Sequence, residues 1–250
     1  MQRRLTLLLV VVALVVIGLL PVGIMLGNSL FIDGNLTIAV YQRLFANARH
    51  YWAPIGHSMT IASLTAGFAM VLGVPLGLLL GKTNLPFWRT LAVLLSIPLL
   101  IPPYILAVSW FNLLARDGLL ARVIPPGTVG LLSDWLFGLP GCVWVLVSAL
   151  MPVVMILTMV YVHAVSPRLE EAGRLIAHWP GILRYITLPI IMPGILFGGI
   201  LVFLLALGEV GVPMFLRYPV FPVETLTQFS AFYDFGAARS EERRVGKECA

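Results

Sequence analysis

The sequence predicts an all-α, polytopic membrane protein: a helical bundle of five transmembrane spans with one short helix on the membrane surface. Sixty per cent of its 250 residues are apolar and only 11% are charged, and the mean hydropathy is +0.99, values that are typical of membrane proteins. Five apolar runs are long enough to cross a bilayer. Between the last two runs lies a polar segment, residues 166–193, with the residue spacing of an amphipathic helix.

The first predicted span follows Arg3 and Arg4 and runs from Leu5 to Leu26. At 1.5 Å per residue, a helix of this length covers about 33 Å, which is enough to cross a bilayer. A cleaved signal peptide is the alternative, but its apolar core would be about 7–15 residues long and would end at a small-residue cleavage site. We therefore predict an uncleaved span followed by a periplasmic segment, together residues 1–56.

The second predicted span begins at His57 or Ser58 and ends at Leu80. Glycine recurs at every fourth position, which allows another helix to approach closely; these residues are Gly73, Gly77 and Gly81.

The triplet Gly81-Lys82-Thr83 resembles the end of a phosphate-binding loop. Such a loop needs a glycine five residues before Gly81, and Leu76 stands there. The triplet also ends a membrane helix and does not follow a strand. We therefore predict that Lys82 is a membrane-surface anchor and that this chain has no ATPase site of its own.

The third predicted span, from Phe87 to Leu114, is interrupted by Pro98, Pro102 and Pro103. Broken helices are tolerated in a bilayer where neighbouring protein or a water-filled cavity satisfies the freed backbone groups. The sequence leaves two interpretations open, a kink that serves packing and a lining of the translocation path.

A loop over residues 116–140 leads to the fourth predicted span, Gly141 to Ala164, and the fifth runs from about Ile190 to Gly211. Glu209 is the one acidic residue inside a predicted span. An ionisable group there is by default a functional candidate, but its place near the span end also suits a structural or interfacial role. The sequence therefore leaves two roles open for Glu209, a gate or path residue and a structural residue.

The polar segment begins with Ser166, a predicted helix N-cap, and Pro167 at the first helical position. Glu170 and Glu171 fall in the first turn, where the helix dipole favours anions, and Glu170 can pair with Arg174 at i,i+4. The predicted apolar face of this helix consists of Leu169, Ala172 and Ile176. Pro180-Gly181 is predicted to end the helix.

Basic residues are about three times as dense in the segments on the side of this helix as in those on the other side. Cytoplasmic loops carry such an excess of Lys and Arg. The N-terminus and the short helix are therefore predicted to be cytoplasmic.

The polar segment resembles the EAA loop of bacterial ABC-transporter permeases of the type I importer kind. That family pattern is Glu-Ala-Ala, three residues, Gly, nine residues, Ile, one residue, Leu-Pro. The chain offers Glu171-Ala172-Gly173, then Ala177, then Ile186, Leu188 and Pro189. It departs from the pattern in three ways: Gly173 replaces the second Ala, Ala177 replaces the Gly, and the distance to Leu-Pro is one residue shorter. A later stretch, Leu205 to Ala238, resembles the iron(III)-type subfamily.

The resemblance covers roughly Trp52 to Ala238 and implies a permease domain over residues 57–238. It implies a bacterial inner-membrane subunit without enzymatic activity or cofactor, which forms the path for a solute, here iron(III). The implied partners are an ATPase dimer, a second permease half (homodimeric, heterodimeric or fused) and a periplasmic solute-binding protein. The implied ATPase-coupling residues are Glu170, Glu171, Ala172, Gly173, Arg174, Ala177, Ile186, Leu188 and Pro189; the candidate path or gate residues are Pro102, Pro103 and Glu209.

The resemblance also implies a sixth span, which the sequence lacks. Residues 239–250, RSEERRVGKECA, are strongly charged and contain no apolar run. The expectation is that the chain is cut short and that this tail is foreign to the fold. A native five-span protein with a polar outer tail is the alternative.

No sequence pattern indicates catalysis, a metal site or nucleic-acid binding. The four histidines form no i,i+4 pair, and no Gly-x-Ser-x-Gly motif occurs. The alternatives to an iron importer are an importer of a polyamine, thiamine, sulfate or phosphonate, or a secondary transporter that needs no nucleotide.

Overall fold

The computed structural model describes residues 2–32, 35–36, 48–83, 86–174 and 178–232. The described chain is predominantly helical, which confirms the predicted fold class. In chain order its helices are α1 (Gln2–Leu30), α2 (Ala48–Lys82), α3 (Trp88–Leu100), α4 (Pro103–Leu114), α5 (Pro126–Leu136), α6 (Leu139–Ala164), α7 (Pro167–Arg174), α8 (Trp179–Ile182), α9 (Leu188–Leu207), α10 (Gly211–Phe215) and α11 (Phe221–Phe232). The short elements are strands β1 (Phe31–Ile32) and β2 (Asn35–Leu36), a 3₁₀ turn (Leu119–Arg122) and a π-helical turn (Leu183–Thr187).

The chain divides into two compact units, residues 1–53 and 54–250. In the first unit, α1 contains the whole of the predicted first span, and β1 pairs antiparallel with β2 in a minimal hairpin. The described side chains of α1 between Leu9 and Leu20 are apolar and exposed. A lipid-facing helix has this surface.

Three helices in the described chain are long and apolar enough to cross a membrane: Trp52–Lys82, Leu139–Ala164 and Trp179–Leu207. They match predicted spans two, four and five. Two predicted starts were too late, because helix α2 begins at Ala48 and the helix that leads into α9 begins at Trp179. Pro180, which was predicted to end the preceding helix, stands in the first turn of the helix that leads into α9, a position that is compatible with proline.

The third predicted span is a broken one. Helix α3 and the stretch Pro103–Arg122 meet at 99°, which is far sharper than a proline kink within one helix. Each residue that precedes a proline is driven out of the helical region, and Ile101 (φ −98°, ψ 128°) and Pro102 (φ −51°, ψ 132°) are both extended. Pro103 then starts α4, since it needs no N–H partner there.

Helix α6 forms the centre of the second unit, and α2 packs directly against it. A Cβ atom added to Gly77 would lie 2.6 Å from the carbonyl oxygen of Met155 and 2.7 Å from Cβ of Thr158. Only glycine therefore permits this backbone approach, which confirms the role predicted for the glycine stripe on α2. Helix α9 also packs against α6, where Gly194 lies against the ring of Tyr161.

Two segments outside the predicted spans contain helices. The segment 116–140 includes α5, and the outer segment after span five includes α10 and α11. Pro126 and Pro222 stand in the first turns of α5 and α11, where a missing N–H costs nothing. The density of Gly and Pro had favoured a loop over residues 116–140. The tail, residues 239–250, lies outside the described residues.

Candidate coupling helix and translocation path

Helix α7 begins at Pro167, as predicted, and the Leu169 N–H donates to the carbonyl of Ser166 at 3.1 Å. Glu171 and Arg174 are exposed, and Leu169 keeps 52% of its surface accessible. Arg168 is exposed as well, so the helix presents one apolar and three charged side chains outwards. The side chains of Glu170 and Ala172, as well as residues 175–177 with Ala177, lie outside the described part of the chain.

The inward side of α7 is Gly173, which is buried. A Cβ atom at this position would lie 2.7 Å from Cδ1 of Ile186 and 3.4 Å from Cγ1 of Ile182. The structure thus brings together two of the residues that the EAA-like pattern singled out, Gly173 and Ile186. The sequence reasoning missed Ile182, although its i,i+4 spacing from Ile186 places both on one helical face.

The helix that begins at Pro167 was predicted to end at Pro180-Gly181, but α7 ends at Arg174 and a new helix begins at Trp179. His178 is extended (φ −71°, ψ 160°), and Pro180 stands in the first turn of α8. The helix then continues through the π-helical turn into α9 up to Leu207. Pro180-Gly181 is therefore part of a helix start, because proline is favoured in the first turn.

The π-helical turn lies immediately before Pro189. The Leu188 N–H donates to the carbonyl of Leu183, five residues back, and Pro189 has no N–H to offer. A wider turn absorbs this missing donor without breaking the helix, and such turns recur at functional sites. Leu188 packs against the buried group Val162, Val165, Ile191 and Ile195, while Pro189 is exposed.

Aromatic residues flank the basic side chains of this region. The Arg174 guanidinium lies 5.5 Å from the ring centre of Trp179, and that of Arg184 lies 5.8 Å from the ring centre of Tyr185. Such cation–π contacts contribute about 0.5–1 kcal/mol at exposed sites. The first contact ties the end of α7 to the start of α8.

Glu209 follows the last residue of α9, Leu207, and so lies beyond the helix in which the sequence had placed it. Its Oε1 accepts hydrogen bonds from the backbone N–H groups of Gly211, at 3.0 Å, and Val212, at 3.4 Å. A carboxylate is stabilised at the start of a helix, because the first N–H groups have no partner within the helix. Glu209 thus caps α10.

A cavity of about 270 Å³ lies between the broken span, α6 and the end of α9. Pro103 and Glu209 both line it, so the structure brings together two of the three predicted path residues, whereas Pro102 is exposed beside it. The remaining lining residues are Pro98, Leu99, Ile101, Ala149, Leu150 and Leu205. Ala149 and Leu150 had no sequence signal, since small and aliphatic residues are common in any span.

Comparison with known proteins gives sequence relatives with one shared description. No family model matches the chain. The molybdenum transport system permease protein ModB of Escherichia coli K12 is 29% identical over 206 residues, which are 79% of this chain and 85% of that protein. ModB of Mycobacterium tuberculosis is 24% identical over 155 residues, 62% of this chain and 57% of that protein. A probable molybdenum ABC transporter permease protein of Haloferax volcanii is 28% identical over 165 residues, 65% of this chain and 58% of that protein.

A solved structure shares the fold. A chain of the inward-facing MetNI methionine ABC transporter superposes with a TM-score of 0.53 and 21% identity, covering 63% of this chain and 70% of that chain. None of these relatives supports the iron(III) subfamily, and that expectation is withdrawn. The chain is therefore similar in sequence to permease proteins named for molybdenum transport and similar in fold to a chain of an ABC transporter.

Proposed function

We propose that the chain forms the transmembrane path of an ABC importer for molybdate, with ATP hydrolysis on a separate partner chain. The relatives named for molybdenum transport support this substrate over iron(III). The observation on which the coupling role rests is the contact of Gly173 with Ile186. It attaches an exposed surface helix to the same continuous helix that becomes span five.

Coupling follows from this attachment. The exposed Glu171 and Arg174 would face the groove of the ATPase, while Gly173 and Ile186 seat α7 on the bundle. Closure of the ATPase dimer would displace α7, and Leu188 and Pro189 would pass the displacement into α9. Coupling requires only that α7 prefers a different position in each state of the transporter. Glu170, Ala172 and Ala177 stay predicted members of this interface.

The cavity at the broken span would form part of the translocation path for the solute. Its described lining includes no basic side chain, and its one carboxylate, that of Glu209, is engaged by two backbone N–H groups. Such a lining offers a dianion no tight binding, and conduction requires a site that releases its solute. Selection of molybdate would therefore lie with a periplasmic binding protein, and a second permease half would complete the path.

The proposed subunit lies in the inner membrane with its N-terminus and α7 in the cytoplasm and its permease domain over residues 57–238. A secondary transporter would need ionisable groups at mid-depth for ion coupling. The helices α4, α6 and α9 contain no Asp, Glu, Lys or Arg, and α2 and α3 contain such residues only in their first or last turns. This distribution favours coupling from the surface.

ATP-dependent uptake of molybdate tests the proposal. The chain would be reconstituted in proteoliposomes with its candidate ATPase and binding protein, and radioactive molybdate, sulfate and ferric iron would be supplied in parallel. We expect molybdate to accumulate only with ATP on the ATPase side, and excess sulfate to compete weakly. Uptake of iron but not molybdate would contradict the proposal that molybdate is the substrate. Uptake driven by an ion gradient without ATP would contradict the proposal that the transporter is driven by ATP.

A further inference from the structure

A second group of residues lies on the same end of the bundle as α7, where α2 ends, α3 begins and α6 ends. The Arg89 guanidinium lies 5.4 Å from the ring centre of Trp88, and the Trp88 and His163 rings are 6.5 Å apart. A Cβ on Gly81 would lie 3.1 Å from Cγ1 of Val162, so the adjacent Lys82 also lies at this end of α6. We call Lys82, Trp88, Arg89 and His163 the α3 patch.

The charges of the described chain are divided between its two ends. The α7 end has five basic residues, Lys82, Arg89, Arg168, Arg174 and Arg184, against the two glutamates of α7. At the opposite end of residues 54–232 the charges are close to balanced: Asp117, Asp134, Glu209 and Glu224 stand against Arg116, Arg122 and Arg217. The α7 end is therefore the one that attracts anions.

The α3 patch continues directly into apolar surface. Helix α3 has no buried residue in the described chain. Phe87, just before it, is 81% exposed, and Leu94 is 55% exposed. The exposed apolar side of this helix is suited to contact with lipid. Its first turn, with one aromatic ring and one guanidinium, then lies at the level of the headgroups.

We propose that the α3 patch binds the headgroup of an anionic phospholipid of the leaflet on the α7 side. Arg89 would bind the phosphate through paired N–H groups, and the Trp88 ring would hold the guanidinium in place. Lys82 would add a second positive charge, and the acyl chains would lie along the exposed apolar side chains of α3. This inference does not depend on which solute is transported.

The test compares two lipids on the purified full-length chain. Retention of phosphatidylglycerol and of phosphatidylcholine with identical acyl chains is measured by native mass spectrometry, with inorganic phosphate as a third ligand. A basic residue near an anionic membrane surface contributes about 1 kcal/mol, which is about a fivefold change in affinity. We expect Arg89→Gln to lower phosphatidylglycerol retention about fivefold, and Arg89→Lys to lower it less.

Arg122→Gln is the matched control, because Arg122 is an exposed arginine at the opposite end. It should leave the preference for phosphatidylglycerol unchanged. Equal retention of the two lipids by the unmodified chain would overturn the proposal, as would displacement of the lipid by equimolar inorganic phosphate. Unchanged lipid retention in Arg89→Gln, together with lost co-purification of the ATPase, would assign the patch to a protein interface and overturn it as well.

Discussion

Gly173→Leu is expected to reduce ATP-driven transport at least tenfold without preventing membrane insertion. The leucine Cβ would meet Cδ1 of Ile186 at 2.7 Å, and three further carbon atoms would have to enter the same buried contact. Overpacking of this kind costs about 1–3 kcal/mol, and an isolated helix of eight residues is marginal in water. Helix α7 would therefore leave its seat, and ATPase activity and solute uptake would become uncoupled.

Two control variants show whether the loss of transport comes from the contact of residue 173 with Ile186. Gly173→Ala should keep transport within about twofold, because the Ile186 methyl group is the end of a flexible side chain and can move aside. Gly130→Leu on α5 should be neutral, since nothing lies within 4 Å of its Cβ position. Full transport by Gly173→Leu, with normal amounts of protein in the membrane, would contradict the seating of α7 on Ile186.

Gly77→Ala is expected to lower the thermal stability of the purified chain. The added methyl group would meet the Met155 carbonyl and the Thr158 side chain at 2.6 and 2.7 Å, and a backbone atom cannot move aside as a side chain can. Helices α2 and α6 would have to separate along a contact that holds the core together. A cost of roughly 1–3 kcal/mol lowers Tm by roughly 2–10 °C for a chain of this size.

Gly67→Ala on the same helix is the control, because nothing lies within 4 Å of that position. It should leave Tm unchanged or raise it slightly, since alanine is favoured over glycine in a helix by about 1 kcal/mol. Thermal unfolding followed by circular dichroism in detergent gives both values. Equal Tm values for the two variants would show that α2 and α6 are not in the close contact described.

Periodicity and apolar run length were sufficient to predict the helical class and the three continuous spans. They also predicted that another helix approaches the glycines of α2, because a repeat at every fourth residue marks one face of a helix; that this helix is α6 came from the structure. They failed at Pro180, which was predicted to end a helix, and in the Pro-containing segment 116–140, which was predicted to be a loop. Pro180, Pro126 and Pro103 each stand in the first turn of a helix, where no N–H is needed, whereas Pro102 is extended and lies at the break between α3 and α4.

The candidate site was predicted in part for a similar reason. The EAA-like pattern marked Gly173 and Ile186, which the structure joins, because small and aliphatic residues at that spacing dock a helix. Ile182 and the π-helical turn were not predictable, since they depend on how the segment closes on itself. Glu209 was noticed as an acid in an apolar run, but its role as the cap of α10 required the backbone path after Leu207. These residues do not identify the substrate. The relatives named for molybdenum transport are the reason that molybdate, and not iron(III), is the proposed substrate.

The location of α7 relative to the membrane tests the account most directly. In a variant without native thiols (Cys142→Ala and Cys249→Ser), a cysteine is placed at exposed Glu171, or at exposed Arg122 as the control, and treated with a membrane-impermeant maleimide. The account predicts that Glu171→Cys is labelled in inside-out vesicles but not in intact spheroplasts, and that Arg122→Cys shows the reverse pattern. Labelling of Glu171→Cys from outside intact spheroplasts would contradict it, because no ATPase could then reach α7.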